Sequence, residues 1–167
     1  MMCNQRLREE EGGMEYGSIE REIRIEATPD VVYEVVSRPE HLREWWPDEA
    51  ELEPASGATG TVSFGDRGAP DAKVVPLTVV EADPPRRFSF RWAYGDGEIA
   101  TPANSLLVTF ELTPSGTGTL LRFTESGFRE KAWEVAVLEE QYREHVKGWD
   151  HFLPRLAPYV ARVVSTP

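Results

Sequence analysis

The chemistry open to this sequence turns on one carboxylate. In the stretch Thr119–Glu125, Leu121, Phe123 and Glu125 share one strand face, while Arg122 and Thr124 take the other. Alternation with period two marks a half-buried strand, so Glu125 falls on the apolar side. An unpartnered carboxylate there is costly. It sits at the strand end and reaches water, or it has a structural partner, or it serves as a polar anchor or general acid/base with a raised pKa. The sequence leaves these accounts open.

Other reactive groups are sparse. His145 and His151 are six residues apart and do not share a helix face, and His41 adds no metal-ligand spacing. The single cysteine, Cys3, has no apolar neighbours and no partner for an internal disulfide. The glycines form no phosphate-loop or dinucleotide pattern, and the serines lack a nucleophile-elbow context. No metal, no cofactor and no catalytic set is therefore expected.

Acidic residues outnumber basic ones, 29 to 18, giving a formal charge of −11 over 167 residues. Such a surface repels phosphate backbones and anionic bilayers, so neither nucleic acid nor membrane is an expected partner. No apolar run reaches membrane-spanning length, and MMCNQRLREEEGGMEYG lacks the apolar centre of a signal peptide. The reading is a soluble, cytoplasmic protein. Its length suits one domain able to bury a core without metals or disulfides.

The elements that position these groups follow from period changes along the chain. Residues 1–17 are polar and read as a disordered leader, with one domain over 18–164. In SIEREIRIEA, Ile19, Ile23 and Ile25 alternate with charged residues, which makes a strand. Thr28 and Pro29 then suit the N-cap and first position of a short helix carrying Val31, Val32, Val35 and Val36. A second, Pro39 to Trp46, sets Leu42, Trp45 and Trp46 on one side. Strands are expected over Glu51–Glu53, Thr61–Phe64, Lys73–Ala82, Arg87–Tyr94, Ser105–Thr113 and Thr119–Glu125, separated by Gly- and Pro-rich turns. Short connections of this kind make an antiparallel meander. Beyond Gly127 the period becomes helical, with Trp133, Leu138, Tyr142, Trp149, Phe152, Leu156 and Val160 along one stripe. Pro154 interrupts it, so the helix, predicted from Trp133 to Val163, should bend between Asp150 and Leu156, with both Pro154 and Pro158 towards water.

Four segments carry a resemblance: IEREIRIEATPDVVYEVVSRPEHLREWW (19–46), PPRRFSFRW (84–92), TESGF (124–128) and GWDHFLPRLAPYV (148–160). In this order the chain resembles the helix-grip superfamily of START and birch-pollen-allergen-like domains. More narrowly, it resembles the bacterial family named after the activator of heat-shock-protein-90 ATPase, C-terminal domain. The resemblance implies an α+β helix-grip fold: a curved antiparallel sheet of about seven strands wrapped around a long C-terminal helix, with two short helices after the first strand. It also implies a cavity between helix and sheet. In this fold the first strand lies beside the last, so an Arg21–Glu125 cross-strand pair is one expected partner for the carboxylate.

Strand parity then names the expected lining: Phe64, Phe90 and Trp92, Phe110, and Phe123 with Glu125, from four strands. Trp46 of the second short helix and Tyr142, His145 and Trp149 of the long one face them. The plain alternative is ordinary core, but the surplus of large rings points to a cavity wall. Binding of a small hydrophobic or aromatic molecule leads. A protein-interaction or co-chaperone role would show as an exposed apolar patch at Trp45–Trp46. A cyclase- or hydrolase-like enzyme would show as a buried, unpaired Glu125 close to His145 or Tyr142.

Overall fold

The computed structural model describes residues 17–165 apart from 66–69, 71, 96 and 132. The leader expected over residues 1–17, and Cys3 with it, lies outside the described residues except for Gly17. Strand β1 is Ser18–Ile25, helix α1 Pro29–Ser37 and helix α2 Pro39–Trp45. Strands β2 (Glu49–Glu51), β3 (Thr59–Phe64), β4 (Lys73–Asp83), β5 (Arg87–Trp92), β6 (Leu106–Ser115) and β7 (Gly118–Ser126) follow. A 3-10 turn at Arg129–Lys131 leads to α3 (Val135–Phe152), a second such turn at Leu153–Arg155, and α4 (Leu156–Ser165).

The strands form one curved antiparallel sheet in the order β1-β7-β6-β5-β4-β3-β2. From β2 to β7 each strand pairs with the next, as short turns require, and β1 closes on β7. The register of that last pair sets Ile19 opposite Glu125 and Arg21 opposite Phe123. Leu106, Val108, Phe110 and Leu112 on β6, and Leu121, Phe123 and Glu125 on β7, are all buried, matching the parity of the sequence. β5 stops at Trp92 rather than Tyr94, because Ala93 turns out of the ladder at φ 66°.

Helix α1 begins on Pro29, whose missing N–H is no loss in a first turn. Thr28 holds the N-cap position, but its hydroxyl makes no capping bond. Val32, Val35 and Val36 are fully buried, and the helix packs on β5, β6 and β7. Trp45 of α2 donates its indole N–H to Val35 O (3.1 Å), which ties the two short helices together. Trp46 leaves helical geometry just ahead of Pro47.

The long helix changes pitch where Pro154 falls. Pro154 has no N–H for the Asp150 carbonyl, and the chain tightens into the 3-10 turn Leu153–Arg155 before resuming as α4. Both Pro154 and Pro158 are exposed, while Leu153, Leu156 and Val160 stay buried on the opposite side. The helix expected from Trp133 to Val163 is a helical run of 31 residues, Val135–Ser165, with the 3-10 turn inside it. The apolar stripe continues through the turn, and the proline tightens the pitch. The second helix packs on α1, α2 and β1. Among the described residues no helix is long and apolar enough to cross a membrane.

Energetically the sheet core and the surface differ sharply. Phe110 is fully buried and packs edge-on against Trp45 and at a tilt against Phe123. Its replacement by Ala is expected to cost about 3–5 kcal/mol, roughly 10 °C in melting temperature for a domain of this size. Asp150→Asn, at a half-exposed ion pair with Arg21, is expected to cost less than about 1 kcal/mol. Thermal unfolding of the two variants side by side checks both values.

Candidate functional site

Glu125 is fully buried, and three N–H groups converge on its carboxylate. Oε2 accepts from the Trp92 indole at 2.7 Å. Oε1 accepts from the Trp149 indole at 2.8 Å and meets His145 Nδ1 at 2.9 Å. His145 and Trp149 lie four apart on α3, so one helix face delivers both. Trp92 comes from β5, across β6 from Glu125. An indole N–H can only donate, so each oxygen must act as an acceptor towards a ring fixed by packing. These bonds offset the cost of burying the carboxylate.

The expected Arg21–Glu125 pair does not form. Arg21 has the predicted parity, but its guanidinium reaches Asp150 of α3, Nε at 3.0 Å and one terminal nitrogen at 3.2 Å. That arrangement leaves both charges partly hydrated, with side chains 37% and 53% exposed. Pairing with Glu125 would have required stripping water from the guanidinium, while aromatic N–H groups were already in reach.

Beside this cluster a cleft of about 550 Å³ opens between α3 and the β3–β4–β5 part of the sheet. Five of the expected lining residues do line it: Trp46, Phe64, Trp92, His145 and Trp149. The Trp46 ring lies 5.1 Å from both Trp92 and Trp149, 5.7 Å from Phe90 and 6.1 Å from Phe64. Phe90, Phe110 and Phe123 sit beneath, filling the core; Phe123 lies 4.6 Å from Trp149. Glu125 lies behind His145. Tyr142 faces elsewhere, donating its hydroxyl to Ser18 O at 2.8 Å and packing on Phe128. The space is a cleft open to solvent on one side rather than a closed internal cavity.

Several lining groups were not singled out from the sequence. Tyr94 closes one wall, its hydroxyl 2.7 Å from Thr78 Oγ1, and Phe152 adds a ring near Phe64. Gly148 lies on the α3 wall. Mid-helix Gly costs about 1 kcal/mol against Ala, yet a Cβ built there meets no atom within 4 Å. No protein neighbour demands this glycine. An isolated Gly inside a helical pattern is the signal that was available for it.

One edge of the cleft is latched. Lys131 Nζ donates to Ala93 O at 3.0 Å and Asn104 O at 3.1 Å, holding both ends of the β5–β6 loop beside Tyr94. Burial pushes the Lys131 amine below its ordinary pKa, with Glu98 opposing the change. The other histidines stand apart: His41 Nδ1 is 2.7 Å from the Tyr159 hydroxyl, and His151 is exposed against the Phe152 ring.

Comparison with known proteins fits this geometry. The model of the activator of Hsp90 ATPase homolog 1-like protein family matches residues 26–161. The chain belongs to that family. No curated protein matches it at a significant level. Among solved structures, protein MLL2253 from Mesorhizobium loti superposes with a TM-score of 0.68 at 23% identity, covering 87% of this chain and 97% of its own. Protein NE0264 from Nitrosomonas europaea gives 0.69 at 14% identity, covering 88% and 96%. The Aha1 dimer from Colwellia psychrerythraea gives 0.61 at 19% identity, covering 86% and 95%. At these identities the likeness establishes the fold.

The donor set around Glu125 makes a direct test. A glutamine there presents one acceptor and one NH2, so its NH2 must face one of the two indole N–H groups. Glu125→Gln is expected to lower stability by about 2–3 kcal/mol, a fall of roughly 5–10 °C in melting temperature. An unchanged melting curve would mean that the three N–H groups do not define the site.

Proposed function

We propose that the protein binds a small hydrophobic or aromatic molecule in the cleft between its sheet and α3. Gly148 carries this reading. In a long helix an alanine would be favoured at this position, no packing forbids it, and the volume the glycine vacates belongs to the cleft. The space has the size usual for small-molecule sites, a few hundred Å³, with aromatic rings on its walls and the polar Lys73, Gln141, Glu144 and His145 among its lining. Phe64 and Phe152 are half-buried rings able to pack on a ligand, over a floor of the buried Trp46, Trp92 and Trp149.

The competing functions lack the features that would favour them. Trp45 and Trp46 are buried, at 0% and 4% exposure, so α2 offers no aromatic docking patch. Glu125 is buried but has its full set of donors, so it is not the unpaired acid expected of a hydrolase.

Gly148 also supplies the test. Gly148→Ala is expected to raise stability by about 1 kcal/mol through helix propensity alone. Gly148→Leu is expected to fold equally well and to obstruct the α3 wall of the cleft. Quenching of tryptophan fluorescence by 1-naphthalenemethanol should report binding to the native protein, weakened at least about tenfold (1.4 kcal/mol) in Gly148→Leu. Native mass spectrometry of protein from its own host should show a co-purified small molecule that the leucine variant lacks. A native protein that arrives bare and does not respond to the naphthyl probe would overturn the proposal.

A further inference from the structure

We infer that the cleft selects flat aromatic carboxylates, held as anions against Nε2 of His145. This rests on the cleft-binding reading above and specifies the chemistry of its polar end.

The inference begins with the charge on Glu125. Its hydrogen-bonding partners are two indoles, which cannot carry a positive charge, and one imidazole, which can. Arg21, the cation expected beside it, is engaged with Asp150. His145 is therefore the group at the carboxylate able to balance it. With Nδ1–H committed to Glu125, the remaining ring nitrogen, Nε2, bonds to no described residue. The His145 side chain is 17% exposed and lines the cleft, whereas Glu125 is 0% exposed. A ligand meets the imidazole and never touches the carboxylate behind it.

Two protonation states converge on one complex. If the ring is already an imidazolium, Nε2–H donates to an incoming carboxylate. If it is neutral with its proton on Nδ1, Nε2 takes up one proton from solvent as the carboxylate binds. Either way the product is a ligand carboxylate facing Nε2–H and an imidazolium whose Nδ1–H faces Glu125. Buried Glu125 stabilises that imidazolium, and the low dielectric of the aromatic walls strengthens the charge-assisted bond. A neutral alcohol gains no charge pairing. An organic cation would find the carboxylate covered and the imidazole in its path.

Other charged or titratable groups on the cleft do not set this preference. Lys73 on β4 and Glu144 on α3 are opposite in sign and exposed to water, where their effects are screened and partly cancel. The Tyr94 hydroxyl is engaged with Thr78. The Trp92 and Phe128 rings that sandwich His145 at 5.8 and 5.3 Å hold its plane without adding charge.

The test compares three naphthyl probes of one shape, 1-naphthoate, 1-naphthalenemethanol and 1-naphthylmethylamine, by tryptophan quenching near neutral pH. Naphthoate is expected to bind at least about tenfold more tightly than the alcohol, and the amine most weakly. In His145→Gln the ratio of acid to alcohol affinity should fall to about one. As a check needing no variant, one histidine ring in labelled native protein should show imidazolium nitrogen shifts in the naphthoate complex. His41 and His151 then serve as internal references. Equal binding of acid and alcohol, an acid advantage that survives His145→Gln, or a neutral-ring signal for His145 in the complex would overturn the inference while leaving the cleft reading intact. Failure of all three probes to bind would remove both.

Discussion

One buried carboxylate joins the sheet to the helix that lies across it. Glu125 stands on β7, receives an N–H from β5, and receives two more from successive turns of α3. A helix lying on a sheet is otherwise free to rotate or slide by small amounts, since apolar contacts are non-directional. Two hydrogen bonds from residues four apart remove that freedom. They fix which face of α3 looks down, and thereby place Trp149, Gly148 and Phe152 along the cleft. An apolar residue at this position would cost the core little, because buried charges often give little net stability. It would leave two indole N–H groups without acceptors and α3 without a fixed orientation.

What could be read from the sequence was mostly local. The proline at 154 announced a break in the regular helix because the missing N–H and the ring clash act within one turn. Strand parity sent Leu121, Phe123 and Glu125 inward because period two is a property of the backbone. Parity says nothing of depth, however. Phe110 and Phe123 share their inward direction with Trp92, yet they end in the core while Trp92 lines the cleft. The same limit explains Tyr142, which has the helical spacing of the inward stripe but turns its hydroxyl to the start of β1.

Arg21 departs from expectation for a different reason. The first and last strands pair antiparallel, and Arg21 and Glu125 lie near each other across that pair. Opposite charge alone would join them. Inside a protein the desolvation of a guanidinium weighs against that attraction, and neutral donors that are already buried have no such penalty. Sequence offers no view of which neutral donors will be within reach, since Trp92 and Trp149 meet Glu125 only through the fold.

The pairing of β1 with β7 has a consequence for how the chain is made. Ser18 lies opposite Ser126 and Ile25 opposite Thr119, so about a hundred residues of chain separate the partners. On a ribosome adding about 5–20 residues per second, β1 emerges roughly 5–20 s before β7 exists. Throughout that interval Ile19 and Ile25, both buried at the end, have no sheet to join. Glu20, Glu22, Arg24 and Glu26, alternating with them in SIEREIRIEA, keep this early strand charged on its other face, as expected of a segment that must wait without pairing to its neighbours. The domain closes only when its last strand arrives.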